Sequence, residues 1–249
     1  MTKSIPYAQI ETLFLDAGNT LVSMDFDWIA AEIQTRGVSC DPHMVRRAEA
    51  AARPIVSHAF AGTGYVHGRD RFRLYLSKVL SRLEPAAVKG PETVESLAEE
   101  LVSVLWKPRE ANRLWRWIIP GVPDALAAFR SMGLQLIVVS NSDGTAERTL
   151  IEADLRRYLT AVVDSDVVGF AKPDPRIFRY ALAACGTHPE RVLHVGDMLH
   201  ADVEGARRAG LHALLLDPFD DWIGVNCERI PDLGALVDRF RASRNAHTV

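Results

Sequence analysis

The chain has 249 residues, 48% of them apolar and 24% charged, with a formal net charge of −3. That is enough chain to bury a sizeable core in one large domain or two small ones. The near-neutral balance gives no reason to expect nucleic acid or a membrane surface as partner.

In chain order, the first element is a strand at Ile10, Leu13, Phe14 and Leu15, cut off by Asp16 and Gly18. No buried-strand run follows between about 24 and 117, only helical periods. Asp41 and Pro42 read as the N-cap and first turn of one helix. Phe72, Leu76, Val79, Leu80 and Leu83 line one helix face, and Val94, Leu97, Leu101, Val104 and Leu105 line another. After Ile118 the pattern changes. Helices at Pro123–Met132, Thr145–Leu155, Pro175–Cys185 and Ala201–Ala209 alternate with strands at LQLIVVS, AVVDS, RVLHVGD and LHALLLD. Strand–helix alternation of this length implies parallel pairing with right-handed crossovers. From about Ala242 the polar tail is expected to fray.

The expected fold is therefore α/β, a Rossmann-like doubly wound parallel sheet with an inserted helical cap. The core takes residues 1–22 and 118–249, and the cap takes 23–117. Apolar runs such as LQLIVVS are too short to span a membrane, and MTKSIPYAQIE lacks the apolar stretch of a signal peptide. Cys40, Cys185 and Cys227 fit no zinc or redox spacing and read as reduced thiols, so a cytoplasmic protein is expected.

Ligands of open α/β sheets sit at the carboxyl ends of the strands. Past those ends stand Asp16, Gly18 and Thr20, then Ser140 and Asn141, then Lys172, then Asp197 and Asp202. Phosphoryl transfer asks for such a set. A carboxylate can attack phosphorus, Mg²⁺ takes hard oxygen ligands, lysine offsets charge on the phosphoryl oxygens, and a hydroxyl near a helix start donates to them. Taken singly, each residue has a plainer reading as a turn, a cap or a solvated charge.

LFLDAGNTL, VVSNSDG, FAKPDPRIF and HVGDMLHADVEGARRAG resemble, in order, the four motifs of the haloacid dehalogenase-like superfamily. The match covers about 5–22 and 118–240, and the segment 24–117 resembles that family's C1-type helical cap in position and length. The resemblance implies that Asp16 is the nucleophile, that Ser140, Asn141 and Lys172 grip the phosphoryl group, and that Asp16, Asp197 and the Gly18 carbonyl hold Mg²⁺. Thr20 would support the first motif, and Asp202 the metal's water shell or Lys172. A small phosphorylated substrate is implied, handled by a monomer or homodimer.

The chain departs from the family at Gly18, where phosphatases usually carry the aspartate that protonates the leaving oxygen and then activates water. Gly18 keeps a carbonyl for the metal but has no acid. Dehalogenases carry a bulky aromatic there and lack the pair Gly196–Asp197, which this chain has. Phosphonatases need a cap lysine; the cap offers Lys78, Lys89 and Lys107, with Arg53 near the expected place. The leading expectation is a phosphohydrolase that favours good leaving groups. Its rival is a phosphate-ligand binding protein that has lost efficient catalysis. Asp25 and His67 are candidate replacement acids, with Asp25 or Asp27 alternatively capping a helix near Trp28. The stretch with His58, Arg69, Arg71 and Arg73 reads as a solvated face, and Trp28, Trp106, Trp115 and Trp117 as cap packing.

Overall fold

The computed structural model describes residues 4–61, 68–83, 91–107 and 113–245. Strand β1 (Thr12–Leu15) lies at the centre of a six-stranded parallel sheet. The chain then forms β2 (Val22–Ser23), the cap helices α1 (Phe26–Gln34), α2 (Pro42–Phe60), α3 (Arg69–Leu80) and α4 (Pro91–Leu105), and β3 (Trp117–Ile118). It continues through α5 (Val122–Ser131), β4 (Gln135–Ser140), α6 (Ala146–Glu152), β5 (Ala161–Asp164), α7 (Ser165–Val168) and α8 (Pro175–Cys185). The last part holds β6 (Val192–Gly196), a π-helical turn (Leu199–Glu204), α9 (Gly205–Arg208), β7 (His212–Leu216), β8 (Arg229–Ile230) and α10 (Leu233–Asn245).

The sheet order is β5-β4-β1-β6-β7-β8. From β1 the chain moves outward through β4 and β5, then returns to β6 and moves outward the other way. The topological switch point thus falls between β1 and β6, where loops leave to opposite sides and a crevice opens. Parallel strands covered on both faces must be apolar along their length; every residue of β1 and β6 is buried. Leu13 and Leu15 point into one core with Leu136, Val138, Leu126 and Phe240. Phe14 points into the opposite core with Ile137, Val139, Phe178 and Leu215, as a two-residue period requires.

The cap has its own core, in which Phe72, Leu76, Val79 and Leu80 of α3 meet Leu97, Leu101 and Leu105 of α4. Asp41 caps α2 through the Met44 N–H, and Asp174 caps α8 through the Arg176 N–H. Arg47 of α2 grips Asp221 of the core with two hydrogen bonds of 2.8 and 2.7 Å. Ser57 Oγ accepts from the His200 N–H at 3.0 Å.

Several expectations are corrected. The helix expected at Ala201–Ala209 begins at Leu199 and is π-wound as far as Glu204 before α9. The two crossings between core and cap pair as a short antiparallel ribbon, Val22 opposite Ile118 and Ser23 opposite Trp117. Strands of two residues leave no periodicity to read, and β8 was missed for the same reason. Helix α10 runs to Asn245, beyond the expected fraying point, because Leu236, Val237 and Phe240 anchor it on the sheet. Among the described residues, no helix is long and apolar enough to cross a membrane.

Candidate active site

Asp16 is the first residue past β1. Its N–H donates to the Val195 carbonyl at 2.9 Å, which continues the β1–β6 pairing and brings the carboxylate to the switch point. Lys172 arrives from the loop before α8 and is only 2% exposed. Its Nζ donates to Asp16 Oδ1 and to Asp202 Oδ1, both at 2.6 Å. The Asn141 side chain grips the backbone of Lys172: its Oδ1 accepts from the Lys172 N–H at 2.7 Å, and its Nδ2 donates to the carbonyl at 2.9 Å. That amide therefore positions the lysine, and one Nδ2–H beyond its bond to Lys172 is left to face the cavity that Asn141 borders.

Asp202 is fully engaged. Its Oδ1 also accepts from His194 Nε2 at 3.0 Å, and its Oδ2 accepts from the Met198 N–H at 2.9 Å. This packing requires a glycine at 196, because a Cβ there would lie 2.2 Å from Asp202 Cγ. Asp202 thus makes the contact to Lys172 expected of it, and it also lies within the carboxylate group that could face a metal ion. Asp197 differs: it is 2% exposed, and its Oδ2 has no hydrogen-bond partner among the described residues. Arg53 of the cap lies 3.4 Å from that oxygen. Oxygens of Asp16, Asp197 and Asp202 all fall within 4.8 Å of one another.

The charge states follow from burial and pairing. Burial opposes the charge of Lys172, but Asp16 and Asp202 overrule it and hold the ammonium charged well above the usual lysine range. Burial also opposes ionisation of Asp202, which Lys172 and then His194 keep well below the usual carboxylate range. Burial lowers His194, so the ring is neutral and its Nε2–H faces Asp202. Asp16 is pushed up to about 6 by burial, against the pull of Lys172. Burial pushes Asp197 up to about 8, with Arg53 opposing. Two carboxylates without enough positive charge suit a divalent cation.

Ser140 closes β4 and borders the same cavity. The loop after it is tied down by Asp164, which accepts from the Gly144 and Ala146 N–H groups at 3.1 and 3.0 Å, and by Ser165, which accepts from the Ser142 N–H at 3.0 Å. Sequence reasoning missed both. The signal was present in AVVDS, another strand that ends on a carboxylate. Thr20 is buried close by, its Oγ1 without a hydrogen-bond partner among the described residues.

The cavity measures about 340 Å³, with Asp16, Gly18, Ser140, Lys172 and Asp197 at the strand ends and cap side chains above. A Cβ on Gly18 would meet the six-membered ring of Trp115 at 3.2, 3.5 and 3.6 Å. An indole ring lies beside Gly18, against the place a side chain at that position would start. Among the described residues lining the cavity, the cap supplies no carboxylate. Asp25 caps α1 through the Trp28 N–H and pairs with Arg116 at 2.6 Å, so it is a structural residue. Asp27 lies exposed in the first turn of that helix. His67 and Lys89 lie outside the described residues. Arg69 and Arg73 pair with Glu99 and Glu95 on an exposed face, while Arg71 lies over the Phe60 ring and borders the cavity. Lys78 does not line the cavity, and Lys107 does so as an exposed residue. Arg53 is held by Glu49 through bonds of 2.9 and 2.6 Å. Glu49 in turn accepts from Asn19 of the first motif at 3.0 Å.

The crevice at the switch point, its carboxylates and its lysine define a hydrolase of the haloacid dehalogenase-like class. A family model of haloacid dehalogenase-like hydrolases matches residues 10–210. The chain belongs to that family. It is 31% identical over 211 residues to human haloacid dehalogenase-like hydrolase domain-containing protein 3, covering 84% of this chain and 82% of that one. It is 38% identical over 121 residues to a phosphoserine phosphatase of Thermus thermophilus, covering 48% and 47% of the two chains. The fold is shared with the HAD-hydrolase YfnB from Bacillus subtilis at a TM-score of 0.60 and 19% identity, over 93% of this chain and 99% of that one.

Proposed function

We propose that the chain is a Mg²⁺-dependent phosphohydrolase acting on a small phosphorylated metabolite through an aspartyl-phosphate on Asp16. The observation that carries this reading is the Lys172 bridge between Asp16 and Asp202, beside Asp197, at the base of the capped cavity. An Asp16 oxygen attacks phosphorus while the bond to the leaving oxygen breaks, and the leaving group takes that electron pair. Water then attacks the acyl phosphate, which releases inorganic phosphate and restores the carboxylate. Lys172 and the Ser140 hydroxyl offset charge on the nonbridging oxygens throughout. The phosphoserine phosphatase relative supports phosphate-ester chemistry.

The donor set fits Mg²⁺, a hard cation that takes one or two carboxylates and leaves sites for water and phosphate oxygens. Asp16, Asp197 and the Gly18 carbonyl would hold it, and Asp197 Oδ2, with no hydrogen-bond partner among the described residues and only the Arg53 ion pair at 3.4 Å, has room for it. When bound, the ion offsets the negative charge that carboxylates and phosphate bring together.

Gly18 supplies no acid to the leaving oxygen. Such help is typically worth ~10²–10⁴-fold, so aryl and acyl phosphates should turn over better than alkyl phosphates. The test is a panel of all three classes, with and without Mg²⁺, on the wild type and Asp16→Asn. Mg²⁺-dependent turnover that Asp16→Asn abolishes is expected. Ligand binding without turnover across the panel would replace this reading with that of a binding protein.

A further inference from the structure

The group displaced from phosphorus in line with Asp16 leaves into the space below the cap. Aromatic side chains make up much of the wall of that space, beside Arg71, Lys107 and Arg113. Phe60, Tyr75, Trp106 and Trp115 all border the cavity, and all four remain only half-buried. Val56 and Leu105 complete the apolar wall. Large aromatic side chains normally bury most of their area. Here four of them keep surface turned to one chamber beside the nucleophile, and a ligand would complete their burial.

Trp115 ties this wall to the chemistry. Its six-membered ring lies over Gly18, with the nearest carbon 3.2 Å from where a Cβ would stand. Gly18 therefore does more than omit an acid, because it makes room for an aromatic surface at the point where the leaving group departs. A polyol packed against Trp115 would leave the hydroxyls on that side facing a ring face that cannot pair with them; Arg71, Lys107 and Arg113 border the cavity elsewhere. A flat apolar body would gain area burial and ring–ring contact. The volume, about 340 Å³, lies at the small end of the range that holds organic ligands, ~300–1,000 Å³.

We infer that the substrate is the phosphate monoester of a phenol whose ring packs against Trp115, which makes Trp115 the specificity-determining residue. This rests on the phosphohydrolase reading and names its substrate class. The chemistry agrees with the recognition. An aryloxide carries off the electron pair of the broken P–O bond without a proton from the enzyme and takes its proton from water afterwards, so a site lacking the acid at position 18 still works on it.

Two measurements separate ring recognition from leaving-group chemistry. In the first, an aryl monoester and a fluorinated alkyl monoester matched in leaving-group pKa are compared. The aryl ester should show a KM lower by roughly ten-fold, the scale of one good aromatic contact plus its buried area. Trp115→Leu should lower kcat/KM for the aryl ester about ten-fold more than for the alkyl ester, while Trp115→Phe keeps most of the preference. Phe60→Leu serves the same purpose should Trp115→Leu fail to fold. In the second, benzylphosphonate and methylphosphonate are titrated against tryptophan fluorescence, a readout independent of turnover. Benzylphosphonate should bind at least ten-fold more tightly. Equal KM values for the matched esters, together with equal phosphonate affinities, overturn the aromatic subsite and leave phosphohydrolysis standing. Tight benzylphosphonate binding with no turnover of any ester supports the subsite and overturns the hydrolytic reading.

Discussion

Replacing Gly18 by aspartate restores the acid that other family phosphatases use, but the structure opposes the single change. The new Cβ would stand 3.2 Å from a Trp115 ring carbon, so the ring must give by a few tenths of an ångström. The carboxylate would extend further into it. Overpacking of this kind costs ~1–3 kcal/mol, or roughly 2–12 °C in Tm for a chain of this size. Set against this is the gain in catalysis, ~10²–10⁴-fold, equivalent to ~3–5 kcal/mol of barrier. The pair Gly18→Asp and Trp115→Ala clears the clash. Relative to Trp115→Ala alone, the double variant should raise kcat/KM for an alkyl phosphate by ~10²-fold or more; Gly18→Asp alone should gain less and melt earlier. Aryl phosphates should gain little from the acid and lose from the missing ring. The assay is Mg²⁺-dependent phosphate release for both ester classes, with Tm measured on every variant. If the folded double variant keeps its Mg²⁺ dependence and alkyl turnover does not rise, the missing-acid account is wrong.

The buried Glu49–Arg53 pair, with bonds of 2.6 and 2.9 Å, ties the cap to Asn19 and Asp197. Glu49→Gln leaves Arg53 with only Asp197 nearby and should cost ~3–5 kcal/mol, a Tm loss of roughly 6–20 °C. Exchanging both residues for methionine should recover only part of it, because Asn19 and Tyr75 then lose the Glu49 acceptor, and thermal melts that show the double variant no better than the single would contradict the assignment. Burial pushes Asp197 up to about 8, so the folded chain keeps a proton that the unfolded chain has lost. In EDTA, stability should therefore fall between about pH 6.5 and 8, above the histidine range, by up to ~1.4 kcal/mol per pH unit. Asp197→Asn should flatten that slope, and Mg²⁺ should raise Tm more at the upper pH; calorimetry in which wild type and Asp197→Asn show the same slope would sink the idea. Gly196→Ala places a Cβ 2.2 Å from Asp202 Cγ and must displace the carboxylate that holds Lys172. Turnover should fall ~100-fold or more, on the scale of a lost electrostatic stabiliser, and the melt should fall as well, because the buried Lys172–Asp202 pair is disturbed, on the scale of ~3–5 kcal/mol; unchanged kcat in a folded variant would show that Asp202 does not position the lysine.

The chain pattern alone determined the sheet, the helical insertion and the residues at the strand ends. Apolar runs cut by single carboxylates are local, and parallel α/β topology brings such ends together whatever fills the loops. That is why Asp16, Ser140, Lys172 and Asp197 could be placed at one rim before any coordinates, while their roles came from the resemblance of the motifs. Tertiary structure decided what each of them touches. Only packing shows that the Asn141 amide grips the Lys172 backbone, that Asp202 accepts three hydrogen bonds while Asp197 Oδ2 accepts none among the described residues, and that Asp164 and Ser165 brace the loop after β4. Above all, the sequence records an absent side chain at Gly18 and is silent about what occupies its space. Trp115 reaches Gly18 from almost a hundred residues away along the chain, and a contact of that range leaves no periodicity and no motif to read.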